Sequence, residues 1–338
     1  LLGFLNATDI QTNTYPYANP LITRDGEILA YLSDGSSTDV NDTCASWAIK
    51  HESGYTDKGA LPSLSPFADN NLKLDGTGSF AVAAWEKQRM TINTQGELEP
   101  EELAAMLNNS EIVTSVYDGD KWVTTPLTDN LVPDLSPVVA AKKDRAIVAW
   151  RRVAGSNMSG NPLNYNDVND SIVYKEYISG EWGETKTLYN GTSGNVKGMS
   201  ASIMSDGTTA IVYALDSCTN DNDLGNTNEI YCAIIDSKEG VKTDLRLTNN
   251  NELDENPQIT TVNFGTEEGE RFVIGWHNIA MSGASDIILA AIDNEGRLDD
   301  NFIDSISSIN ENASLNIANS FRFTKGEDIN LADCHCFG

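Results

Sequence analysis

No run of apolar residues in the 338-residue chain approaches the ~20 needed to cross a bilayer as a helix. The opening Leu1-Leu2-Gly3-Phe4-Leu5 is too short for a signal core and has no basic flank. The chain also lacks an initiating Met, which fits a mature or excised piece of a longer precursor. Cations are scarce: 22 Lys and Arg stand against 50 Asp and Glu, a net charge of −28. Nucleic acid is a poor partner for such a surface, because its recognition relies on Lys and Arg neutralising phosphates. An anionic membrane is a poor partner on the same ground, and no membrane insertion is expected. Cations, neutral glycans and basic proteins fit. There is no Gly-rich phosphate loop, no Gly-x-Ser-x-Gly and no His-Glu-x-x-His, which excludes nucleotide enzymes, α/β-hydrolases and zincins.

Histidine and cysteine are sparse too. His51, His277 and His335 are too few and too scattered for an obvious zinc site. Of five cysteines, Cys218 and Cys232 flank one Asn/Asp-rich loop, and the spacing predicts a disulfide closing it. The pairing of Cys44, Cys334 and Cys336 stays open. The Asn-x-Ser/Thr sequons at Asn6, Asn41, Asn108, Asn157, Asn169, Asn190 and Asn312 are about as many as chance gives in so Asn-, Ser- and Thr-rich a chain.

What the chain does have is a repeat. A short strand (A) begins near Pro20, Pro66, Pro137, Ala201, Pro257 and Ser320. A turn leads to a nearly continuous apolar strand (B), best seen in 80–85, 146–150 and 272–276, each ending in Trp. A variable polar loop, a third strand (C) and a Gly turn follow, as at Asp118-Gly119 and Ser179-Gly180. The unit closes with a polar strand (D). Apolar B strands suit burial on both faces, and polar D strands suit an outer edge. A β-sandwich would instead alternate in every strand. The expectation is one all-β domain over 1–338, a β-propeller of about six four-stranded blades. A small helical insertion near 99–109 has Pro100 and acids in its first turn. The sixth unit has only A and B, and the chain opens with what read as C and D. Pairing of these half-blades would close the ring and remove its free edges. The alternative is a piece of a larger propeller.

The segment Ser115-Val116-Tyr117-Asp118-Gly119-Asp120-Lys121-Trp122 keeps Ser, Gly and Trp of the Asp box found in sialidase-type propellers, but displaces the Asp. Ser179-Gly180-Glu181-Trp182 keeps less. At the level of fold the chain resembles that family, whose box is structural. The family's Arg-Ile-Pro segment does not occur, and no three arginines can be assigned to the blade positions of its arginine triad: Arg24 falls in an A–B turn, on the face away from the site.

The resemblance implies that the B–C and D–A loops share the ligand face, and the variable B–C lengths agree with this. Residues just after strand B would ring that mouth: Asp34, Glu86, Arg151, Arg152, Asp216 and His277. Two readings follow. In the first, this is a non-catalytic, extracellular module that binds glycan or protein there, with those residues as contacts. In the second, it is a glycoside hydrolase or lyase using Glu86, Asp216 and His277 as acid and base. The oxygen-rich loop 216–229 offers Asp221, Asp223 and Glu229 as calcium ligands.

Overall fold

The computed structural model describes residues 21–33, 40–51, 56–62, 66–91, 99–154, 169–191, 194–216, 228–265, 269–299 and 304–307. The expected closing half-blades, the sixth A–B pair, Asp34, Cys218, Asp221, Asp223, Cys334 and Cys336 lie outside these residues. The chain divides into two compact units, residues 1–167 and 168–338. Among the described residues it is all-β apart from one α-helix and one 3-10 turn, and its strands form five antiparallel sheets.

The first unit contains two complete four-stranded sheets. Sheet one is β1 (Leu21–Ile22), β2 (Ile28–Ser33), β3 (Cys44–Lys50) and β4 (Thr56–Ala60). Sheet two is β5 (Asp69–Thr77), β6 (Phe80–Gln88), β7 (Ser110–Tyr117) and β8 (Trp122–Pro126). The hairpin β9 (Asp134–Lys142) and β10 (Arg145–Ala154), strands A and B of sheet three, completes the unit. Each complete sheet is a simple A–B–C–D meander in chain order, the form of a propeller blade.

The second unit begins with β11 (Asn169–Ile178), which pairs with two short strands, β12 (Glu181–Trp182) and β13 (Lys186–Tyr189). Sheet four is β14 (Asn195–Ile203), β15 (Thr209–Asp216), β16 (Asn228–Asp236) and β17 (Gly240–Arg246). Sheet five is β18 (Leu253–Asn263), β19 (Glu270–Ile279), β20 (Ser285–Ile292) and β21 (Asp304–Ser307). Both are again meanders.

The B strands sit where their composition predicts. Residues 80–85, 146–150 and 210–215 are all buried, with sheets packed on them. Trp85 joins Ile28, Ala30 and Leu61 of the first sheet in one core cluster. Trp276 joins Val212, Ile230 and Cys232 of sheet four in another. The C–D turns are the tight hairpins expected: Gly119 (φ 96°) and Gly180 (φ 93°) take the left-handed conformation that the turn requires. In the first of these turns Asp118 Oδ1 accepts the backbone N–H of Asp120 (3.0 Å) and Lys121 (2.9 Å). Those bonds hold its carboxyl below the usual range. The displaced acid of the box thus still organises the hairpin, while Trp122 packs 5.2 Å from Tyr117.

The helix α1 (Pro100–Asn108) lies between β6 and β7, in the B–C connection of sheet two. The Glu99 N–H donates to Glu102 Oε2 (3.1 Å), tying down its first turn.

One expectation fails. Cys232 is a free thiol, fully buried in the core of sheet four, and burial pushes it well above the ordinary thiol range. The expected bond to Cys218 is not made there. The pair Asp216–Asn228 closes the B–C end of β15 and β16, so Cys232 is four residues inside the sheet, opposite Val212 and Leu245. The loop spacing could not reveal that depth.

Candidate functional site

The residues expected to follow strand B are part of it. Glu86 lies within β6, Arg151 and Arg152 within β10, and His277 within β19, while Asp216 is the last residue of β15. The strands run on past Trp because strand A carries hydrogen-bonding or ion-pair partners for the charges. In sheets two, three and five, strand A has the same bulge, with two residues facing the Trp and the first of them left-handed: Asn71 (φ 50°), Ser136 (φ 53°) and Asn256 (φ 53°). Two residues before each stands a buried Asp.

That Asp is the centre of a clamp. Asp69 Oδ1 accepts Trp85 Nε1 (2.9 Å) and pairs with Lys87 Nζ (2.9 Å), and its Oδ2 accepts the Ala45 N–H (2.9 Å). Asp134 Oδ1 accepts Trp150 Nε1 (2.7 Å) and Arg152 Nε (2.7 Å), and its Oδ2 takes Arg152 Nη2 (3.0 Å) and Asn130 Nδ2 (2.9 Å). Asp254 receives Trp276 Nε1 (2.9 Å), Asn278 Nδ2 (2.9 Å) and Asn250 Nδ2 (3.0 Å). Burial holds Asp69 and Asp254 above the ordinary carboxylate range, against the pull of these donors. The three indoles are buried and cannot stack on a sugar.

A second repeated set secures the D–A corners. The Thr128 and Thr248 hydroxyls each accept a strand-C N–H, from Ile112 and Ile230 (2.9 Å each). Glu111 Oε1 accepts the Asn130 N–H (2.7 Å), and Glu229 Oε1 accepts that of Asn250 (3.1 Å). Glu229 Oε2 also accepts Thr248 Oγ1 (2.6 Å), and Arg246 Nη2 lies 3.1 Å from Oε1. The expected calcium ligand Glu229 is therefore engaged on both oxygens by its own sheet. Among the described residues, no group of three or more His, Cys, Asp or Glu is placed to hold a metal.

The remaining expected site residues separate into three situations. Glu86 Oε1 accepts Asn71 Nδ2 (2.9 Å) and the Ser136 N–H (2.6 Å), linking the strand A bulges of sheets two and three. Asp216 faces Lys197 Nζ at 3.3 Å, with both side chains partly open to solvent. His277 Nδ1 stands 3.5 Å from Glu255 Oε1, an ion-pair distance rather than a formed hydrogen bond; that nitrogen is buried and makes no hydrogen bond. Glu255 and His277 are direct cross-strand partners. Sequence reasoning missed Glu255, Lys197 and the three clamp aspartates. The clamp carries one faint signal, an Asp two residues before the Asn or Ser that opens each bulge.

No family model matches the chain, and no curated protein matches it. Solved structures do match. A polysaccharide lyase, an ulvan lyase bound to a [GlcA(1-4)Rha3S] unit, matches with a TM-score of 0.50 at 10% identity, over 83% of this chain and 68% of its own. A protein of unknown function from Dyadobacter fermentans gives 0.50 at 10% identity, over 86% and 82%. The Trypanosoma rangeli sialidase gives 0.40 at 10% identity, and the chain spans only 41% of its length. Likeness at this identity is one of fold alone, and it is propeller-like.

Proposed function

We propose that the chain is a non-catalytic recognition module that takes a glycan or protein ligand at the ends of its sheets, where B passes to C and D to A. One observation carries this reading. The charged groups best placed for chemistry at those ends, Glu86, Arg152 and Glu229, are held by fixed partners within the scaffold. A general acid needs a proton it can give up to substrate, and a general base needs a lone pair facing it. The proposed contacts at those ends are Asp34, Glu86, Arg151, Arg152, Asp216 and His277. The architecture belongs to the same proposal: a six-bladed ring in an extracellular protein, with the sixth blade made from the two chain ends. The A–B pattern at Ser320 to Asp333 supports that count. The test is incubation of the purified chain with an oligosaccharide panel, following binding by calorimetry and products by chromatography. Binding without new reducing ends or unsaturated products is expected. Turnover would overturn the non-catalytic reading.

One observation favours the enzyme alternative, a hydrolase or lyase. The His277–Glu255 pair places an imidazole nitrogen beside a carboxylate with no hydrogen bond to commit it. If turnover is found, His277→Ala should abolish it while leaving the melting temperature within a few degrees.

A further inference from the structure

Sheets two and five carry the same frame where strand B leaves its Trp. In sheet two Asn70 pairs across with Glu86, Asn71 opens the strand A bulge, and Trp85 lies opposite the bulge. In sheet five Glu255 pairs with His277, Asn256 opens the bulge, and Trp276 lies opposite it. The contacts made from these matching positions differ. Glu86 Oε1 accepts from Asn71 Nδ2 (2.9 Å) and from the Ser136 N–H (2.6 Å), so the amide and the carboxylate are committed to each other and to sheet three. Their counterparts in sheet five are not joined. Among the described residues, the Asn256 side chain makes no hydrogen bond, Glu255 only stands 3.5 Å from His277 Nδ1, and that buried nitrogen has no hydrogen-bond partner.

The backbone under these three side chains is fixed. Asp254 and Asn278 flank Glu255 and His277, and Asn278 Nδ2 and Trp276 Nε1 both donate to the buried Asp254 carboxylate (2.9 Å each). No long loop follows strand B here. Residues 280–284 alone join β19 to β20, closed by bonds from the Ala280 N–H to the Ala284 carbonyl (2.8 Å) and from the Gly283 N–H to the Ala280 carbonyl (2.9 Å). The same connection in sheet two takes residues 89–109. Asn256 is exposed, and the Glu255 and His277 side chains are 33% and 12% exposed. A buried imidazole nitrogen without a partner costs stability, so the scaffold does not account for it. A repeat keeps its supporting bonds at equivalent positions. Where the frame stays and the bonds are dropped, the side chains mark a contact rather than a support.

We infer that Glu255, Asn256 and His277 form the ligand-contacting set of sheet five and take adjacent hydroxyls of a neutral sugar. This rests on the recognition reading above and adds Glu255 and Asn256 to it. A carboxylate accepts, an amide both donates and accepts, and a neutral imidazole donates at one nitrogen and accepts at the other. Hydroxyls, each a donor and an acceptor, match that mixture. An ammonium or guanidinium only donates, and would turn its N–H groups toward those of the Asn256 amide. A net charge of −28 disfavours polyanionic glycans, which leaves neutral ones.

The probes are neutral manno-, gluco-, galacto- and arabino-oligosaccharides, with tetralysine as the cationic alternative. They are titrated calorimetrically into the whole chain and into Glu255→Gln, Asn256→Gly, His277→Ala and Glu239→Gln. Asn256→Gly removes the amide and keeps the left-handed backbone that glycine adopts freely. Glu239 is exposed in the C–D turn of sheet four and controls for net charge. The expected result is binding of at least one sugar by the parent chain, weakened about tenfold or more by Asn256→Gly and His277→Ala and about threefold or more by Glu255→Gln. Glu239→Gln should alter it by less than about twofold. If His277→Ala unfolds the chain, Asn256→Gly and Glu255→Gln decide the matter, since both lie outside the core. If the parent binds a sugar and Asn256→Gly binds it equally well, the assignment is wrong and the recognition reading stands. If Glu239→Gln weakens binding as much as Glu255→Gln, the carboxylate acts by charge alone and the assignment is again wrong. If the parent binds no sugar, the glycan-recognition reading fails and the assignment with it, whether or not tetralysine binds.

Discussion

The indole N–H of Trp150 donates to Asp134 at 2.7 Å, and the same carboxylate is gripped by Arg152 through two further bonds. Asp134 is wholly buried, so removing it leaves a half-buried guanidinium and an indole without acceptors. Asp134→Ala should cost about 3–5 kcal/mol, the range for breaking a buried pair from one side. Urea unfolding followed by Trp fluorescence measures it. A loss near zero would mean that the clamp is ornamental.

Glu86 separates scaffold from catalyst. Its Oε1 serves Asn71 and the Ser136 N–H. Glu86→Gln keeps a carbonyl oxygen there and should shift stability by less than about 1 kcal/mol, whereas Glu86→Ala should lose roughly 1–3 kcal/mol. Equal losses in the two variants would show that the charge matters and not the acceptor.

Mild acid should stabilise the fold. Burial raises the carboxyls of Asp69, Glu111 and Asp254 above their ordinary range. Above both pKa values the cost of burying the charge is felt in full. As pH falls through the raised folded pKa, the folded state binds protons that the unfolded chain does not, so stability rises until about pH 4. Asp118 and Asp236 act oppositely: backbone N–H bonds depress them, and their contribution is lost as pH falls through those lower values. The melting temperature should therefore rise as pH is lowered from neutral toward the ordinary carboxylate range and turn down in stronger acid. Glu111→Gln should climb less. A melting temperature that falls steadily from pH 7 would contradict this balance.

Calcium should raise the melting temperature more than sodium chloride of equal ionic strength, by about 2.7 kcal/mol of linkage at a hundred times its dissociation constant. Since Glu229 is engaged within sheet four, the effect should depend on Asp221 and Asp223 and vanish in Asp221→Asn/Asp223→Asn. No difference between calcium, salt and EDTA would remove calcium from the account.

The strands, their A–D order and the Gly turns were legible because periodicity and turn chemistry are local. The ends of strand B were not. Glu86, Arg151 and His277 read as loop residues because a charge in an apolar strand looks like its end. They stay in the strand because strand A supplies partners 15 or more residues upstream: Asn71 meets Glu86 and Glu255 meets His277. Cys232 shows the same limit. The loop length is visible in sequence, whereas depth within the sheet depends on the register Asp216–Asn228.

Every complete sheet is a meander of adjacent hairpins, with no strand borrowed from a distant part of the chain. Closing such a sheet fixes only short loops, the entropically cheap kind of contact. Each sheet can thus begin to form as soon as its own stretch of about fifty residues has left the ribosome. Bonds that run between neighbours in sequence, such as Arg24 to Asp75 and Asp75 to the Ala141 N–H, then fasten one finished sheet to the next. Synthesis itself would set the order of assembly, from the amino terminus onward.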